Sequence, residues 1–501
     1  MKHAPHLSDQ KNDIQAIVGS GFGWLTCSRF YLLTVKDAAL ARQWIAQLIG
    51  SGLVRSVGEL SALGSDIKSK VDEVAAIAFS YGGLHMLGLT ESRDFPFSTA
   101  FRSGMGSDVR QALLRDSPRE HWHWDDTGNK KRQTAHILLA HWSAGAAVSK
   151  LPAPDDQAFV VRCISASPDF FRDDKLYEPF GFRDGIAQPV IYGLKKESNA
   201  ASPEFNSGVD QVLYRDRIIA PGEFILGYRN EYDELTYSPD VAGWKDSRQG
   251  ALDKTRFGLN GSYLAVREID QDVAAFKEFD VPLAAPSACP LGVTIAEKLM
   301  GRRKDDYGTP LGWTGTGCPL TDSEADAFRY RVDDANGFLT PRGSHIRRVN
   351  PRDTLGHDVQ SGIKSAKLHR LLRRGRPYCE VLNSKGNDGK ADVKEASNSE
   401  TVAAAVRQGL FFIAINADLE RQFEFIYQRW LRNPRFAGLE NEDDPILGTV
   451  SGAKRFAVPA LPLGESTSLK SFTTTRGGGY FFLPGLKALK FIAGCELQRT
   501  L

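Results

Sequence analysis

Three short segments of this chain carry side chains that can act together on a bound substrate. They are Gly181-Phe182-Arg183-Asp184-Gly185, the run from His345 to Arg352, and Arg373-Arg374-Gly375-Arg376-Pro377-Tyr378. The first offers an isolated carboxylate, the second a histidine within a basic segment, and the third an arginine beside a Gly/Pro turn. A histidine can bind iron, a carboxylate can move a proton, and an arginine can stabilise negative charge. These are the groups needed to hold an iron centre and to cleave a peroxide beside it.

In their order along the chain, the three motifs resemble those of the dye-decolorising peroxidase family. Further matches are Asp13-Ile14-Gln15, the segment from Phe411 to Trp430, and the run from Thr475 to Gly485, so the resemblance covers most of the chain. One departure is Cys379, which follows Pro377-Tyr378 where the family commonly has glycine. A buried thiol there is either a small core residue or a group open to modification.

The resemblance implies the site. Asp184 would lie above a haem, His345 would bind its iron from below, and Arg373, four residues before Pro377, would complete the distal pair. The implied cofactor is haem b. The implied activity is reduction of hydrogen peroxide with one-electron oxidation of bulky aromatic donors, such as dyes and phenols.

The groups around His345 have expected supporting roles. Guanidinium groups bind carboxylates bidentately, so we assign the haem propionates to the basic run, with Arg347 or Arg348 leading. The second ring nitrogen of a metal-bound histidine usually donates to an acid, and Asp418 and Glu424 are the candidates. Asp418 also has a structural interpretation, as an acid favoured at the start of a helix.

Two apolar residues belong to the expected pocket. Leu410 and Phe412 are two apart in a predicted strand and so share one face. By resemblance, that face roofs the distal side of the haem. Ordinary core packing would produce the same alternation.

Asp184 is the proposed acid-base group, and Arg373 the group that stabilises the leaving oxygen. A charge-assisted hydrogen bond of this kind contributes roughly 1.5 to 3 kcal/mol. An ordinary aspartate has a pKa of about 3.9, against about 6.5 for histidine, so we expect activity to favour acidic pH.

Several other residues admit a chemical interpretation that we consider weaker. His136 and His141 lie in an apolar segment and are interpreted as hydrogen-bonded core residues, while the run from His121 to Asp126 is interpreted as an aromatic surface loop rather than a metal site. The glycines of Gly19-Ser20-Gly21-Phe22-Gly23 resemble a phosphate loop, but no Lys-Ser/Thr follows, and we interpret them as a turn.

Two other function classes compete with a peroxidase. A protein that stores, delivers or senses haem would keep His345 and the arginines but would not need Asp184 together with Arg373. A nucleic-acid-binding module would use the basic segments instead and would bind with salt-sensitive affinity. With 25% charged residues and a net charge of +2, the composition gives no reason to expect nucleic acid as a partner.

Composition also predicts the class of protein and its location. The six cysteines are scattered, which is typical of reduced thiols in a cytosol. The first residues are polar and no segment approaches the roughly 18 apolar residues of a membrane span. We therefore expect a cytoplasmic protein with no membrane association.

The patterning predicts a mixture of strands and helices. Runs rich in β-branched and aromatic residues predict strands at 29–35, 74–80, 134–142, 159–165, 263–269, 378–382 and 409–416. Asp37 predicts the start of a helix that ends at Gly50, and further helices are predicted at 271–279, 291–299 and 418–432.

At 501 residues the chain exceeds the length at which one core usually stops growing, so two domains are expected. We predict an α+β protein of antiparallel sheets with packed helices, and the resemblance implies two ferredoxin-like halves with haem between them. We place the halves at 1–205, carrying Asp184, and 206–501, carrying His345 and Arg373. Ferredoxin-like sheets often associate, so a homodimer is one expectation. The polar stretch 383–400 predicts an exposed loop.

Overall fold

The fold was analysed in a computed structural model of the chain. It describes residues 6–116, 119–128, 132–145, 149–166, 168–173, 175–194, 213, 215–244, 256–282, 293–305, 307–312, 321–382, 405–448, 454–459 and 465–494.

Four long strands form the sheet of the first half. They are β1 (Cys27–Val35), β2 (Glu73–Phe79), β3 (Ile137–Ser143) and β4 (Phe159–Ala166). Every pairing among them is antiparallel, and their order across the sheet is β2-β3-β1-β4. Four of the predicted strands are therefore confirmed. The one predicted at 134–142 is shorter than expected and is preceded by a separate two-residue strand, Gln133–Thr134.

The second half repeats this arrangement. Its strands are β5 (Ser262–Gln271), β6 (Arg376–Leu382), β7 (Ala405–Asn416) and β8 (Thr473–Leu483). They pair antiparallel in the order β6-β7-β5-β8. Numbered within each half, both sheets have the strand order 2-3-1-4 of a ferredoxin-like fold, which confirms the predicted α+β class.

The two sheets meet edge to edge at one residue pair, where Phe482 of β8 lies opposite Phe79 of β2. An apolar core fills the space between their inner faces, with Phe30 and Trp142 from the first sheet and Phe411 and Phe481 from the second, all fully buried. The four long strands of the first sheet precede residue 205 and the four long strands of the second follow it, whereas the short strand Trp124–Asp125 pairs with β8. A boundary near residue 205 remains our proposal, because residues 195–212 lie outside the described part.

Helices cover the outer faces of the sheets. The longest is α1 (Ala38–Gly50), where the Asp37 side chain accepts a hydrogen bond from Leu40 N and Trp44, Ile45 and Leu48 are buried, as predicted. The short helix α2 (His345–Val349) begins at the candidate iron ligand. The remaining α-helices are Leu7–Gln10, Val57–Ala62, Ile67–Lys70, Tyr81–Met86, Thr99–Ser103, Asp108–Leu114, Val273–Phe279, Ile295–Met300, Asp322–Ala325, Tyr330–Asp333, Val359–Lys367 and Leu486–Ile492.

The helix predicted at 418–432 is present but is wound as a π-helix, in the two runs Glu420–Glu424 and Ile426–Leu431. Glu424 N donates to Leu419 O at 2.9 Å, and the same five-residue spacing recurs at the end of the segment. π-Helical turns are rare and often occur at functional sites. This segment lines the cavity described below.

Other predictions have mixed outcomes. His141 is a buried core residue, as predicted, and contacts Glu73 at 3.1 Å, whereas His136 is hydrogen-bonded but only half-buried, its Nδ1 accepting from Val35 N. The 121–126 loop differs from its prediction, because its tryptophans Trp122 and Trp124 are buried. Cys27, Cys163 and Cys379 are free thiols. The predicted loop at 383–400 lies outside the described residues. Among the helices that are described, none combines the length and apolar character needed to cross a membrane.

Candidate active site

His345 lies at the first position of α2, where the chain turns sharply after Ser344. Its Nδ1 atom is 3.0 and 3.1 Å from the two carboxylate oxygens of Asp444, which is fully buried. A carboxylate can only accept, so Nδ1 carries the proton and Nε2 is the ring nitrogen that remains for a ligand.

Asp444 is held by its own backbone surroundings. Its Oδ1 also accepts hydrogen bonds from the N–H groups of Ile446, at 2.9 Å, and Leu447, at 2.6 Å. Burial alone would disfavour its charge, but the attraction of His345 and Arg348 and these hydrogen bonds hold the pKa of Asp444 below its ordinary value. The carboxylate therefore stays charged as the pH falls through the range in which a free aspartate titrates.

The prediction that Asp418 or Glu424 contacts His345 is wrong. Asp418 accepts from the N–H of Arg421 at 2.9 Å, which is the helix-start role considered as its alternative. Glu424 bonds to Arg110 at 2.8 Å and accepts from the Tyr480 hydroxyl at 2.7 Å. In the sequence, Asp444 stands before Pro445 and two apolar residues. This pattern is typical of a turn in which a side chain caps backbone N–H groups, and it is the feature that could have indicated Asp444.

His345 lines an apolar cavity beside the second sheet, here called the His345 cavity. Its walls come from β5, β7, α2, the π-helical segment and the stretch before Arg373, and include Ile269, Val349, Leu371, Phe412, Ile426 and Leu431. Ala187, from the loop that follows Asp184, closes one side. Phe412 lies at the predicted place, whereas Leu410 is half-buried and is not among the lining residues.

The prediction that Arg347 and Arg348 bind propionates is not supported by their side-chain contacts. Arg347 donates to the carbonyls of Asp334 and Thr340 and lies over the Tyr330 ring. Arg348 is fully buried, and its guanidinium donates to four carbonyl oxygens at 2.8 to 3.0 Å. Both side chains join separate segments of the chain, because buried carbonyls of those segments need hydrogen-bond donors.

Other polar groups lie at the His345 cavity instead. Arg370 lines it and donates to Ala187 O at 3.1 Å, while burial lowers its pKa to about 10 against the attraction of Asp326. Asn350 also lines it, and its buried Oδ1 has no hydrogen-bond partner in the described part of the structure. Arg267 lines the cavity too, but its charge is matched by Asp116 in a buried pair at 2.6 and 2.7 Å.

Asp184 and Arg373 lie together, although they are distant in sequence. Arg373 Nη2 is 3.4 Å from Asp184 Oδ1. The Asp184 loop turns on Gly181 and Gly185, whose φ angles of 97° and 91° are strained for any other residue. Asp184 N donates to Leu176 O at 2.8 Å, so the backbone fixes the carboxylate in place.

Arg373 is positioned by a short pairing of Leu372–Arg373 with β7 and by Gln188, whose Oε1 accepts from Arg373 N at 3.0 Å. The glycine that follows is required, because a Cβ at Gly375 would lie 2.4 Å from Phe411 O. Arg374 extends elsewhere and donates to Ile17 O at 2.7 Å, so the arginine that meets Asp184 is Arg373.

Asp184 and Arg373 also border a second, more polar cavity of about 560 Å³, here called the Asp184 cavity. Arg373 lines both cavities. Arg373 therefore lies between a chamber large enough for a small molecule and the apolar space that holds His345, and Asp184 contacts it from the first of these.

The residues present fit a haem. One imidazole has its Nδ1 bound to a carboxylate, which orients Nε2 for a metal. Apolar walls suit a porphyrin face, while the Arg370 guanidinium in the cavity wall is a donor suited to a propionate carboxylate. No cluster of three His, Cys, Asp or Glu side chains suited to a bare metal ion occurs in the described residues.

Known proteins were compared with this chain at the levels of sequence and structure. No family model matches it. It is 28% identical to a dye-decolorizing peroxidase of Exidia glandulosa over 92% of this chain and 83% of that protein. It is 27% identical to the dye-decolorizing peroxidase AauDyP1 of Auricularia auricula-judae over 92% and 82%.

Solved structures share the fold. A fungal DyP-type peroxidase from Auricularia auricula-judae superposes with a TM-score of 0.66, covering 97% of this chain and 98% of that one at 22% identity. The DyP-type peroxidase of Anabaena sp. gives a TM-score of 0.67 over 97% and 95% at 20% identity. The resemblance seen in the three motifs thus extends over nearly the whole chain, which is similar in sequence and in fold to dye-decolorising peroxidases.

Proposed function

We propose that this protein is a haem b peroxidase that reduces hydrogen peroxide and oxidises bulky aromatic donors in one-electron steps. The observation that carries the proposal is the Asp184–Arg373 pair, at 3.4 Å, because Arg373 also lines the cavity that contains His345. Haem, when bound, would supply the iron that accepts oxidising equivalents from peroxide and passes them on singly.

We assign one task to each side chain. His345 Nε2 would be the iron ligand. Asp184 would take a proton from one oxygen of peroxide and deliver it to the other, which then leaves as water. Arg373 would stabilise negative charge on the leaving oxygen through a charge-assisted hydrogen bond. Arg370, rather than Arg347 and Arg348, would bind a propionate.

The main alternative is a protein that stores, delivers or senses haem. Such a protein needs His345 and an apolar cavity but gains nothing from an aspartate and an arginine held together beside it. The paired Asp184 and Arg373 favour turnover. A cytoplasmic location and a homodimer stay as predictions of the proposal.

One spectroscopic experiment separates these functions. The haem-loaded protein is mixed with one equivalent of hydrogen peroxide at pH 4 to 5 while its absorption is followed. We expect the ferric haem band to be replaced rapidly by that of an oxidised form, which an added phenol or anthraquinone dye then returns to the ferric state. A band that stays unchanged under peroxide would favour storage or sensing, and absence of haem binding would exclude both.

Asp444 provides a further prediction. Asp444→Asn keeps an acceptor for His345 Nδ1–H but removes the charge that makes the imidazole a stronger ligand, so we expect haem affinity or peroxidase rate to fall about 10- to 100-fold. Because the pKa of Asp444 is held low, the wild type should keep this advantage as the pH falls toward 4.

The matched control for this change is Asp418→Asn, which removes the same charge from the residue first predicted to support His345. We expect haem titration and steady-state kinetics to place this variant near the wild type. A loss in Asp418→Asn with none in Asp444→Asn would mean that the arrangement around His345 differs from the one described.

A further inference from the structure

In the described part of the chain, two arginines of the Asp184 cavity have no acidic side chain within ion-pair distance. Arg374 and Arg376 both line this cavity, and neither forms an ion pair with an acidic side chain among the residues that the structure describes. Other arginines of the same cavity are paired, since Arg373 lies against Asp184 and Arg183 against Asp322.

Arg374 donates only to backbone carbonyls. Its Nε and Nη2 bond to Ile17 O at 2.7 Å and to Val18 O at 3.0 Å, and its Nη1 bonds to Arg373 O at 2.9 Å. Burial and the positive charges of Arg376 and Arg373 lower its pKa to about 9. Both its burial and its two positively charged neighbours therefore disfavour the charged form of Arg374.

Arg376 is more deeply buried, with 4% of its surface exposed. Its Nη2 donates to Gly21 O at 2.7 Å and to Phe22 O at 2.9 Å, but its buried Nε has no hydrogen-bond partner. Burial lowers its pKa to about 10, and the only charge that counteracts this is that of Asp184. A buried guanidinium with a spare donor is costly unless something complementary binds to it.

The glycine-rich segment from Gly19 to Gly23 forms the part of the cavity wall beside these arginines. Gly19, Gly21 and Gly23 line the cavity, and the carbonyls of Gly21 and Phe22 face Arg376. A phosphate loop would direct backbone N–H groups at its ligand, whereas this segment directs carbonyls at the arginines. An anion here would be recognised by the guanidinium groups.

We propose that Arg376 forms an anion-binding subsite in the Asp184 cavity, to which Arg374, its donors already bonded to carbonyls, adds its positive charge, and that this subsite receives the carboxylate or sulfonate group of an aromatic molecule. A cavity of about 560 Å³ has room for a ring system beyond that group. The ring of such a molecule would share the chamber with Asp184 and Arg373. That the molecule is an electron donor rests on the proposed function, but its binding does not.

The test measures binding to the haem-loaded protein by calorimetry, without peroxide. The probes are naphthalene-2-sulfonate, the uncharged naphthalene-2-sulfonamide of nearly the same shape, and inorganic sulfate. We expect the sulfonate to bind at least about tenfold more tightly than either of the others, which is the difference that one charge-assisted hydrogen bond produces. Added salt should weaken the binding of the sulfonate and leave the binding of the sulfonamide unchanged.

Variants then locate the subsite. Arg374→Gln and Arg376→Gln should each weaken sulfonate binding about tenfold or more, while Arg435→Gln, which removes the same charge from an exposed position, should not. Arg376→Lys keeps the charge without the forked donor and should bind the sulfonate at an intermediate level. Thermal unfolding should show a sulfonate-induced rise in Tm for the wild type that is absent from the two Gln variants.

Clear outcomes would overturn the proposal. Equal affinity for sulfonate and sulfonamide would exclude recognition of charge, and unchanged sulfonate affinity in both Gln variants would place the site elsewhere. Inorganic sulfate that binds as well as the aromatic sulfonate would exclude the aromatic ligand. If a Gln variant fails to fold, the salt dependence of the wild type still decides on charge. Binding of the sulfonate by a protein that does not react with peroxide would contradict only the proposed function.

Discussion

Asp184→Asn is expected to slow the reaction of the haem-loaded protein with hydrogen peroxide by a factor of about 10² to 10⁴, the usual contribution of a well-placed general acid-base group. The amide matches the carboxylate in size and can still accept a hydrogen bond, so the Gly185 N–H contact at 2.6 Å can survive. What it cannot do is take and return a proton. Stopped-flow absorption of the haem band measures the effect directly.

The same position offers a sharper second variant. Asp184→His restores a group that can carry a proton, but one with an ordinary pKa of about 6.5 instead of about 3.9. We expect part of the rate to return, with its pH profile displaced toward neutral pH. An Asp184→Asn variant that reacts at the wild-type rate would exclude the aspartate as the acid-base group and leave Arg373 as the main contributor.

His345→Gly is expected to abolish normal haem ligation and, with it, peroxidase activity. Removal of the ring also leaves the buried Asp444 without its hydrogen-bond donor, and a bond to a charged group typically contributes about 1.5 to 3 kcal/mol. The haem-free variant should therefore be less stable than the wild type by a similar amount, which chemical denaturation measures.

Rescue makes this prediction specific. Free imidazole should enter the space left by the side chain, donate to Asp444 and restore both the haem spectrum and part of the activity. His369→Ala is the matched control, because His369 is a half-buried histidine stacked on Phe425 at 3.9 Å and does not line the His345 cavity. Normal haem ligation in His345→Gly without imidazole would mean that another residue binds the iron.

Much of the local structure could be predicted because it depends on short-range patterns. The helix that starts after Asp37 follows from capping, the strands predicted at 29–35 and 263–269 follow from β-branched runs, and all three are present. The shared 2-3-1-4 strand order of the two halves could not be predicted, because it depends on pairings between strands that are far apart in sequence. The sequence shows no internal repeat that would indicate this shared strand order.

The basic run after His345 illustrates a different limit. Arginines in such a run can bind an external anion or bond to carbonyls of the protein itself, and the residue types are the same in both cases. Arg348 bonds to four carbonyls that come from three separate segments of the chain. Only the folded arrangement reveals that its donors are already engaged.

The reactive side chains of this protein and their order along the chain follow from its sequence. Asp184, His345 and Arg373 stand in short motifs whose residue types indicate acid-base, ligand and cation roles. The folded arrangement sets which groups meet: Asp184 lies against Arg373, which is 189 positions further along the chain, and His345 contacts Asp444 rather than Asp418. The physical reason is that hydrogen bonds and ion pairs act over about 3 to 4 Å, a distance that only the packing of the strands and helices can set between distant parts of a chain.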